Sequence, residues 1–386
     1  MSLSMNPRMA ELGLPGIRKF SNQLVNYPDA INLTIGQPDF PAPELAKQAG
    51  IQAIENNLTT YSANSGIFEL RKAAAAFFEE KYNCHYKPEN EIVVTNGATQ
   101  AIDSVFRTIL EPGDEIILPA PIYSGYEPII TYCGAKSVYL DTTDTNFQPS
   151  AERLATLITP KTKAVLFNFP SNPTGATISH EQMDALADVL KDQELYIISD
   201  EIYSENTFVG EHRSFGYYPE LKDRLFLIHG LSKSHSMTGW RIGFLMANAR
   251  LISEVTKIHS FNAICAALPS QYAAIAALTS CKDTPQEMNK SYIRRRDYVF
   301  DRLTKMGIEV KKPNGAFYIF PSIKKFGLTS EEFALRLMKR QEGGVGVIPG
   351  SVFTPYGEGY LRITYAYSDE ELREGMDRLE AFIQTL

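Results

Sequence analysis

Between about residues 66 and 285 the chain repeats one pattern, a short apolar run, a polar turn and a stretch with helical periodicity. The runs are EIVV, DEIILP, KSVYL, KAVLFNF, ELYIISD and RLFLIHG, and they alternate with helical stretches such as LRKAAAAFFEEKY and TQAIDSVFRTIL. Runs this apolar, many of them β-branched, need cover on both faces rather than on one. Their alternation with helices predicts an α/β unit with a mainly parallel sheet flanked by helices.

After about residue 285 the pattern changes to a charged helix (NKSYIRRRDYVFDRLTKMG), GAFYIF, a helix near 330–340, YLRITYAY and a terminal helix, which predict a smaller α+β domain. The run Arg294, Arg295 and Arg296 reads as a solvated helix face. The first forty residues, with INLTIGQPDFPAP, are punctuated by proline and too short to stand alone, so they are expected to run along the surface and join the C-terminal part. The expected division is 41–285 for the large domain, and 1–40 with 286–386 for the small one.

Composition narrows the partners. With 386 residues, 44% of them hydrophobic and 22% charged, the chain can build two cores. A formal net charge of −7 leaves no basic footprint for nucleic acid, and small-molecule chemistry is expected instead. The start lacks the basic-then-apolar pattern of a signal peptide and no apolar run is long enough for a bilayer, so a cytoplasmic protein without membrane partners is expected. Four cysteines without CxxC spacing, and six histidines without a second ligand at i+4, argue against a disulfide scaffold or a zinc site.

Ligands of open parallel sheets sit beyond the carboxyl ends of the strands, so the residues there matter most. TNGATQ follows EIVV and opens a helical run: Gly97 permits a tight turn, and the N–H groups of Ala98 and Thr99 can cradle a phosphate. A plain capped helix start would use the same residues. In NFPSNPTG, Asn172 precedes a proline and is held extended, which aims its amide, although the segment is also simply a turn. YIISDEIY ends an apolar strand on Asp200, a carboxylate that wants a cation, with Tyr203 three residues on. Asp200 as a helix N-cap is the competing reading.

RLFLIHG is followed by LSKSHSMTGWRIG. Lys233 there is either a solvated charge or an amine whose pKa is lowered in a pocket, able to form a Schiff base. Arg241 offers a planar fork for a phosphate. A phosphate cradle, an acid, an amine and an arginine at the strand ends of one sheet match what pyridoxal 5′-phosphate needs: a lysine for its aldehyde, donors for its phosphate and a carboxylate for its ring nitrogen.

These motifs, SKSHSMTGWR, SNPTG, DEIY, NGATQA and YLRITYA, resemble in order and spacing those of the class I/II, fold-type I pyridoxal-phosphate-dependent aminotransferases. The likeness runs from LTIGQPDF to the terminal helix. Within the family, GIRKFSN, SHSMTGWRIGF and GAFYIFPSIK are closer to the bacterial N-acetyl-LL-diaminopimelate aminotransferases. The resemblance implies a seven-stranded, mainly parallel sheet in the large domain and a ping-pong exchange between an amino acid and a 2-oxo acid, here N-acetyl-LL-diaminopimelate and 2-oxoglutarate in lysine synthesis.

It also implies roles. Lys233 bonds the cofactor and later carries the proton between Cα and C4′; Asp200 pairs with the ring nitrogen; Tyr203 and Asn172 bond the phenolic oxygen; Tyr123 stacks on the ring. Ala98, Thr99 and Arg241 hold the phosphate. Arg362 grips the substrate's α-carboxylate with Asn172 and the backbone at Gly36. Tyr61 matches a tyrosine that reaches the phosphate of a neighbouring subunit, so a homodimer is expected. Many relatives carry a phosphate-binding serine where this chain has Gly230, and the contact passes to Ser232, while Ser234, Ser236 and Thr238 hold the turn and His235 orients it. Both implied substrates have a second charged end, and Arg18, with Lys19, is the candidate for meeting it from the N-terminal segment.

Other readings use the same residues. A different amino-acid specificity, aromatic for example, and a carbon–sulfur lyase both keep the cofactor. A regulator on this fold would need a DNA-binding domain, for which the residues ahead of the cofactor pattern leave no room.

Overall fold

The computed structural model describes residues 3, 5–13, 16–341 and 343–386. A short strand β1 (Ile31–Asn32) precedes β2 (Ile92–Asn96), β3 (Glu115–Ala120), β4 (Lys136–Asp141), β5 (Thr162–Asn168), β6 (Tyr196–Asp200), β7 (Leu225–Gly230) and β8 (Ile242–Met246). The last seven form one sheet in the order β2-β8-β7-β6-β5-β3-β4. Six point the same way, while β8 runs antiparallel to both neighbours, β2 and β7. The mainly parallel, seven-stranded sheet is thus as expected, and its reversed member is IGFLM, a run absent from the six read in the sequence.

Successive side chains of a strand leave opposite faces, so each run feeds two cores. Ile116, Leu118, Leu166, Ile198 and Phe226 pack with Val105 and Phe106 of the helix Ala98–Ile109 and with Val255 of the helix Ala249–Ala263. Their neighbours Ile117, Val165, Phe167, Ile197 and Leu225 pack on the other side with Met183, Leu186 and Leu190 of the helix His180–Leu190. That double burial is why the runs do not alternate in polarity.

The C-terminal part adds β9 (Tyr318–Ile319), β10 (Val345–Gly346), β11 (Ile348–Pro349) and β12 (Leu361–Thr364). β12 lies between β11 and β9, antiparallel to both, and β1 pairs in parallel with β10. A separate core gathers Tyr292, Val299 and Leu303 of the helix Thr284–Lys305, Leu372 and Leu379 of the helix Asp369–Ile383, and Phe20, Leu24 and Leu33 from the N-terminal segment.

The arginine run corrects an expectation. Arg294 has a side chain 62% exposed, but Arg295 and Arg296 are buried. Arg295 makes two hydrogen bonds to Asp39, at 2.9 and 2.8 Å, and pairs with Asp369 at 3.1 Å, while Arg296 pairs with Asp297 and donates to the Pro313 carbonyl. Consecutive positions of a helix lie about 100° apart, so three arginines cannot all share a solvated face when Tyr292 and Val299 fix the inward one. Among the described residues no helix is long and apolar enough to cross a membrane, no group of three or more metal-ligating side chains is found, and the four cysteines are free.

Candidate active site

The reversal of β8 decides the site's layout. β2, β5, β6 and β7 deliver Asn96, Asn168, Asp200 and Gly230 to one edge of the sheet. Because β8 runs the other way, it starts on that edge, and Arg241 immediately before it arrives there too.

At one end of this edge Gly97, at φ +80°, turns the chain into the helix Ala98–Ile109. The first N–H groups of a helix have no partner within it, so those of Ala98 and Thr99 face outward beside the positive end of the helix dipole. Arg241 donates to the carbonyls of Thr238, at 3.0 Å, and Asn96, at 3.3 Å, and a Cβ on Gly97 would stand 2.5 Å from its Nη2. The guanidinium therefore lies against the helix start, a pairing suited to a phosphate. Ser232 is buried and its hydroxyl makes no hydrogen bond among the described residues. Ser234 and Ser236 are spent on the turn, Ser234 against the Gly230 carbonyl and His235 Nδ1, Ser236 against the Phe40 carbonyl.

Asp200, 4% exposed, ends β6. Burial pushes its carboxyl up to about 6, opposed by a 2.6 Å hydrogen bond from the Tyr126 hydroxyl, a 3.2 Å bond from the Ile202 N–H and the charge of Lys233. No α-helix follows it, so the N-cap reading falls away, and Glu201 instead pairs with His212 at 2.9 Å. Asn168 donates to the Asp200 carbonyl and accepts from the Asn172 N–H, which ties the turn Ser171–Gly175 to the acid.

Lys233 sits in the helical turn Leu231–Ser234 after β7, and its Nζ donates to the Gly36 carbonyl at 2.7 Å. Burial pulls its pKa down to about 8, helped by the charges of Arg362 and Arg241 and resisted by Asp200. A usable fraction of neutral amine is then present at neutral pH, which an exposed lysine does not offer.

Arg362 in β12 is 1% exposed. It donates to Asn172 Oδ1 at 3.0 Å and to the Thr34 carbonyl, and lies between the rings of Tyr318 and Phe353, with centroids 4.6 and 5.0 Å away. Its Nε has no partner and no carboxylate pairs with it among the described residues. A buried guanidinium without a counter-charge is costly, so this corner is built for an anion. The Tyr203 hydroxyl lies 2.6 Å from that of Tyr318. Tyr123 packs edge-on to Tyr126 with centroids 5.3 Å apart, and burial raises its pKa while Arg362, Arg18 and Arg241 all pull the other way. Arg18 is exposed yet close enough for its charge to be felt at Tyr123. Tyr61 is 76% exposed and makes no hydrogen bond to this group.

The structure thus brings Lys233, Asp200, Tyr203, Asn172, Arg362 and Gly36 into one cluster, with Ala98, Thr99 and Arg241 at its phosphate-like end. It adds Tyr126, Tyr318 and Thr34, for which spacing offered no signal beyond a second tyrosine in PIYSGY and the strand GAFYIF. The set fits pyridoxal phosphate on its own chemistry: a buried amine, a buried carboxylate that lacks a cationic partner of its own among the described residues, and an anion cradle on the far side.

The model of the aminotransferase class I and II family matches residues 28–379. A Bacillus subtilis protein named as a probable N-acetyl-LL-diaminopimelate aminotransferase is 50% identical over 98% of this chain and 95% of its own length. Aromatic-amino-acid aminotransferase 2 of Thermococcus litoralis is 37% identical over 99% of both chains. The crystal structure of the Thermus thermophilus aspartate aminotransferase with maleate superposes with a TM-score of 0.94 at 32% identity, over all of both chains. A match that spans both ends of the chain, on a sheet edge that already carries the lysine, the acid and the anion sites, leaves one assignment: the chain belongs to the class I and II aminotransferases, fold-type I enzymes that use pyridoxal phosphate.

Proposed function

We propose that the enzyme exchanges an amino group between N-acetyl-LL-diaminopimelate and 2-oxoglutarate, taking the two in turn at one site in a ping-pong cycle. The observation that carries a carboxylate-bearing substrate is Arg362, a buried guanidinium with no counter-charge among the described residues. The choice of donor rests on the likeness to the Bacillus subtilis protein of that name. Arg18, whose charge is felt at Tyr123, supports recognition of the second charged end that both substrates share.

When bound, pyridoxal phosphate supplies an aldehyde for a lysine amine and a protonated ring that draws electrons from the substrate's Cα. Lys233 would hold the aldehyde carbon and would carry the proton between the substrate's Cα and C4′. Asp200 would hold the proton on the ring nitrogen. Tyr203 and Asn172 would hydrogen-bond the phenolic oxygen, and Tyr123 would pack against the ring. Ala98, Thr99, Ser232 and Arg241 hold the phosphate. Arg362, Asn172 and the Gly36 backbone bind the α-carboxylate, which aligns the Cα–H bond for the transfer.

Tyr61 reaches the phosphate of a second subunit in this reading, and the functional unit is a homodimer. Its support is that Tyr61, at 76%, and Phe261, at 93%, leave large apolar side chains in solvent for a second copy to cover. The domain division stays at 41–285 against 1–40 with 286–386, and the enzyme works in the cytoplasm.

An aromatic or dicarboxylic amino-acid donor is the second reading, the first favoured by the Thermococcus litoralis relative and the second by the likeness to the Thermus thermophilus aspartate aminotransferase. Glutamate formation from 2-oxoglutarate by purified holoenzyme, with N-acetyl-LL-diaminopimelate, phenylalanine and aspartate as donors, tests both. We expect kcat/KM for the first to exceed the others by about tenfold or more. Parity, or a preference for phenylalanine or aspartate, would transfer the assignment to the second reading. Pyruvate and ammonia released from a β-leaving-group substrate, without glutamate, would make the enzyme a lyase.

A further inference from the structure

The hydroxyls of Tyr203, in the turn after β6, and Tyr318, in β9, lie 2.6 Å apart, and both rings are buried. Neither hydroxyl has another hydrogen-bond partner among the described residues. A phenol has one hydrogen to give, so only one member of the pair can donate to the other. If Tyr203 were the donor, it would have no hydrogen left to give a ligand.

The surroundings choose the direction. Tyr318 lies beside the strand of Arg362, whose guanidinium is 4.6 Å from the Tyr318 ring centroid. A cation over the ring draws charge from the phenol and makes its O–H the better donor. Room for this hydroxyl depends on Gly36, where a Cβ would come within 1.9 Å of the Tyr318 oxygen. Arg362 acts on both tyrosines, but it stacks on the Tyr318 ring, while Asp200, from β6, acts on Tyr203 and Tyr123 acts on Tyr318. Lys233 is one layer away, its Nζ 6.0 Å from the ring of Phe317, which packs edge-on to Tyr203.

We propose that Tyr318 is a positioning residue: by donating to Tyr203 it orients the Tyr203 hydroxyl and polarises its O–H toward the phenolic oxygen of the bound cofactor. This rests on the role given to Tyr203 above. A donor at the phenolic oxygen stabilises its negative charge and weakens the hold on the proton of the nitrogen joined to Lys233. Losing the donor therefore moves the pH midpoint of the holoenzyme's visible absorbance upward.

The test is that midpoint in wild type, Tyr203→Phe, Tyr318→Phe and enzyme carrying 3-fluorotyrosine at position 318, with cofactor affinity and melting temperature measured alongside. We expect Tyr203→Phe to raise the midpoint by about one pH unit and Tyr318→Phe by about half a unit. Fluorination makes the phenol a stronger donor, so it should lower the midpoint, an opposite sign that loosened packing would not produce. If Tyr203→Phe moved the midpoint and neither change at 318 did, the proposal would be overturned while the role of Tyr203 stood. If Tyr203→Phe itself had no effect, the role of Tyr203 would fail and the proposal with it.

Discussion

The Tyr126 hydroxyl donates to Oδ2 of Asp200 at 2.6 Å, joining two buried side chains 74 residues apart in the chain. This donor opposes the burial that pushes the carboxyl up to about 6. In Tyr126→Phe the carboxylate loses it and the carboxyl rises further, so that, in the role proposed for it, Asp200 would hold the ring-nitrogen proton less well near neutral pH. The kcat of Tyr126→Phe should fall roughly tenfold, with the acid limb of its pH profile displaced upward and KM little changed. An unmoved profile would reduce Tyr126 to packing.

Asp200 also makes a prediction about stability. Its folded pKa of about 6 lies above the ordinary 3.8, so the folded state binds the proton more tightly than the unfolded chain does. That contribution is complete below about pH 4 and is lost as pH rises through about 6. Cofactor-free protein at pH 8 therefore carries a penalty of up to about 3 kcal/mol at this one group. Asp200→Asn should make the cofactor-free protein more stable by about 1–3 kcal/mol at pH 8 and by almost nothing at pH 4, read by urea denaturation at both. The same variant should transaminate very poorly, because an unprotonated ring is a weak electron sink.

Lys233→Ala removes the amine to which the proposed mechanism gives the aldehyde carbon and the proton transfer. The visible absorbance of the holoenzyme should disappear, and turnover should fall by at least about 10²–10⁴-fold. Substantial retained activity would overturn the whole site assignment.

Arg362 holds a place that lysine cannot fill, since its planar fork spans Asn172 Oδ1 and the Thr34 carbonyl while its faces meet Tyr318 and Phe353. Arg362→Lys should lower kcat/KM for every amino donor by about 10- to 100-fold, mostly through KM, as expected for a lost charge-assisted contact. An unchanged KM across donors would place the α-carboxylate elsewhere.

What could be read from the sequence was whatever follows a strand. Lys233, Asp200 and the Gly97–Thr99 turn each stand directly after an apolar run, so their placement needed only the strand, not its neighbours. The reversal of β8 was hidden because no run of residues declares its own direction, which here is set by pairing with β2 and β7. Tyr126 and Tyr318 were hidden because a tyrosine's spacing says nothing of where its hydroxyl lands, and their partners are 74 and 115 residues away. The arginine run misled for the same reason, since Asp39 lies 256 residues from Arg295.

Arg294 and Arg295 are adjacent in sequence and should differ sharply in worth. Arg294 reaches Asp369 from solvent, and an exposed pair of that kind contributes little because water screens it and two long side chains must be ordered. Arg295 is buried, spans Asp39 with two bonds and Asp369 with a third, and stacks 5.5 Å from the ring of Phe40. Removing it leaves Asp39 without its partner and loosens the segment that runs from Gly36 to Phe40. Arg295→Ala should therefore cost about 2–4 kcal/mol of unfolding free energy against about 0.5 or less for Arg294→Ala, measured by urea denaturation. Because Gly36 belongs to the same segment and its carbonyl accepts from Lys233, KM for the amino donor should also rise in Arg295→Ala and not in Arg294→Ala. Equal losses in the two variants would return the run to the solvated face that its composition suggests.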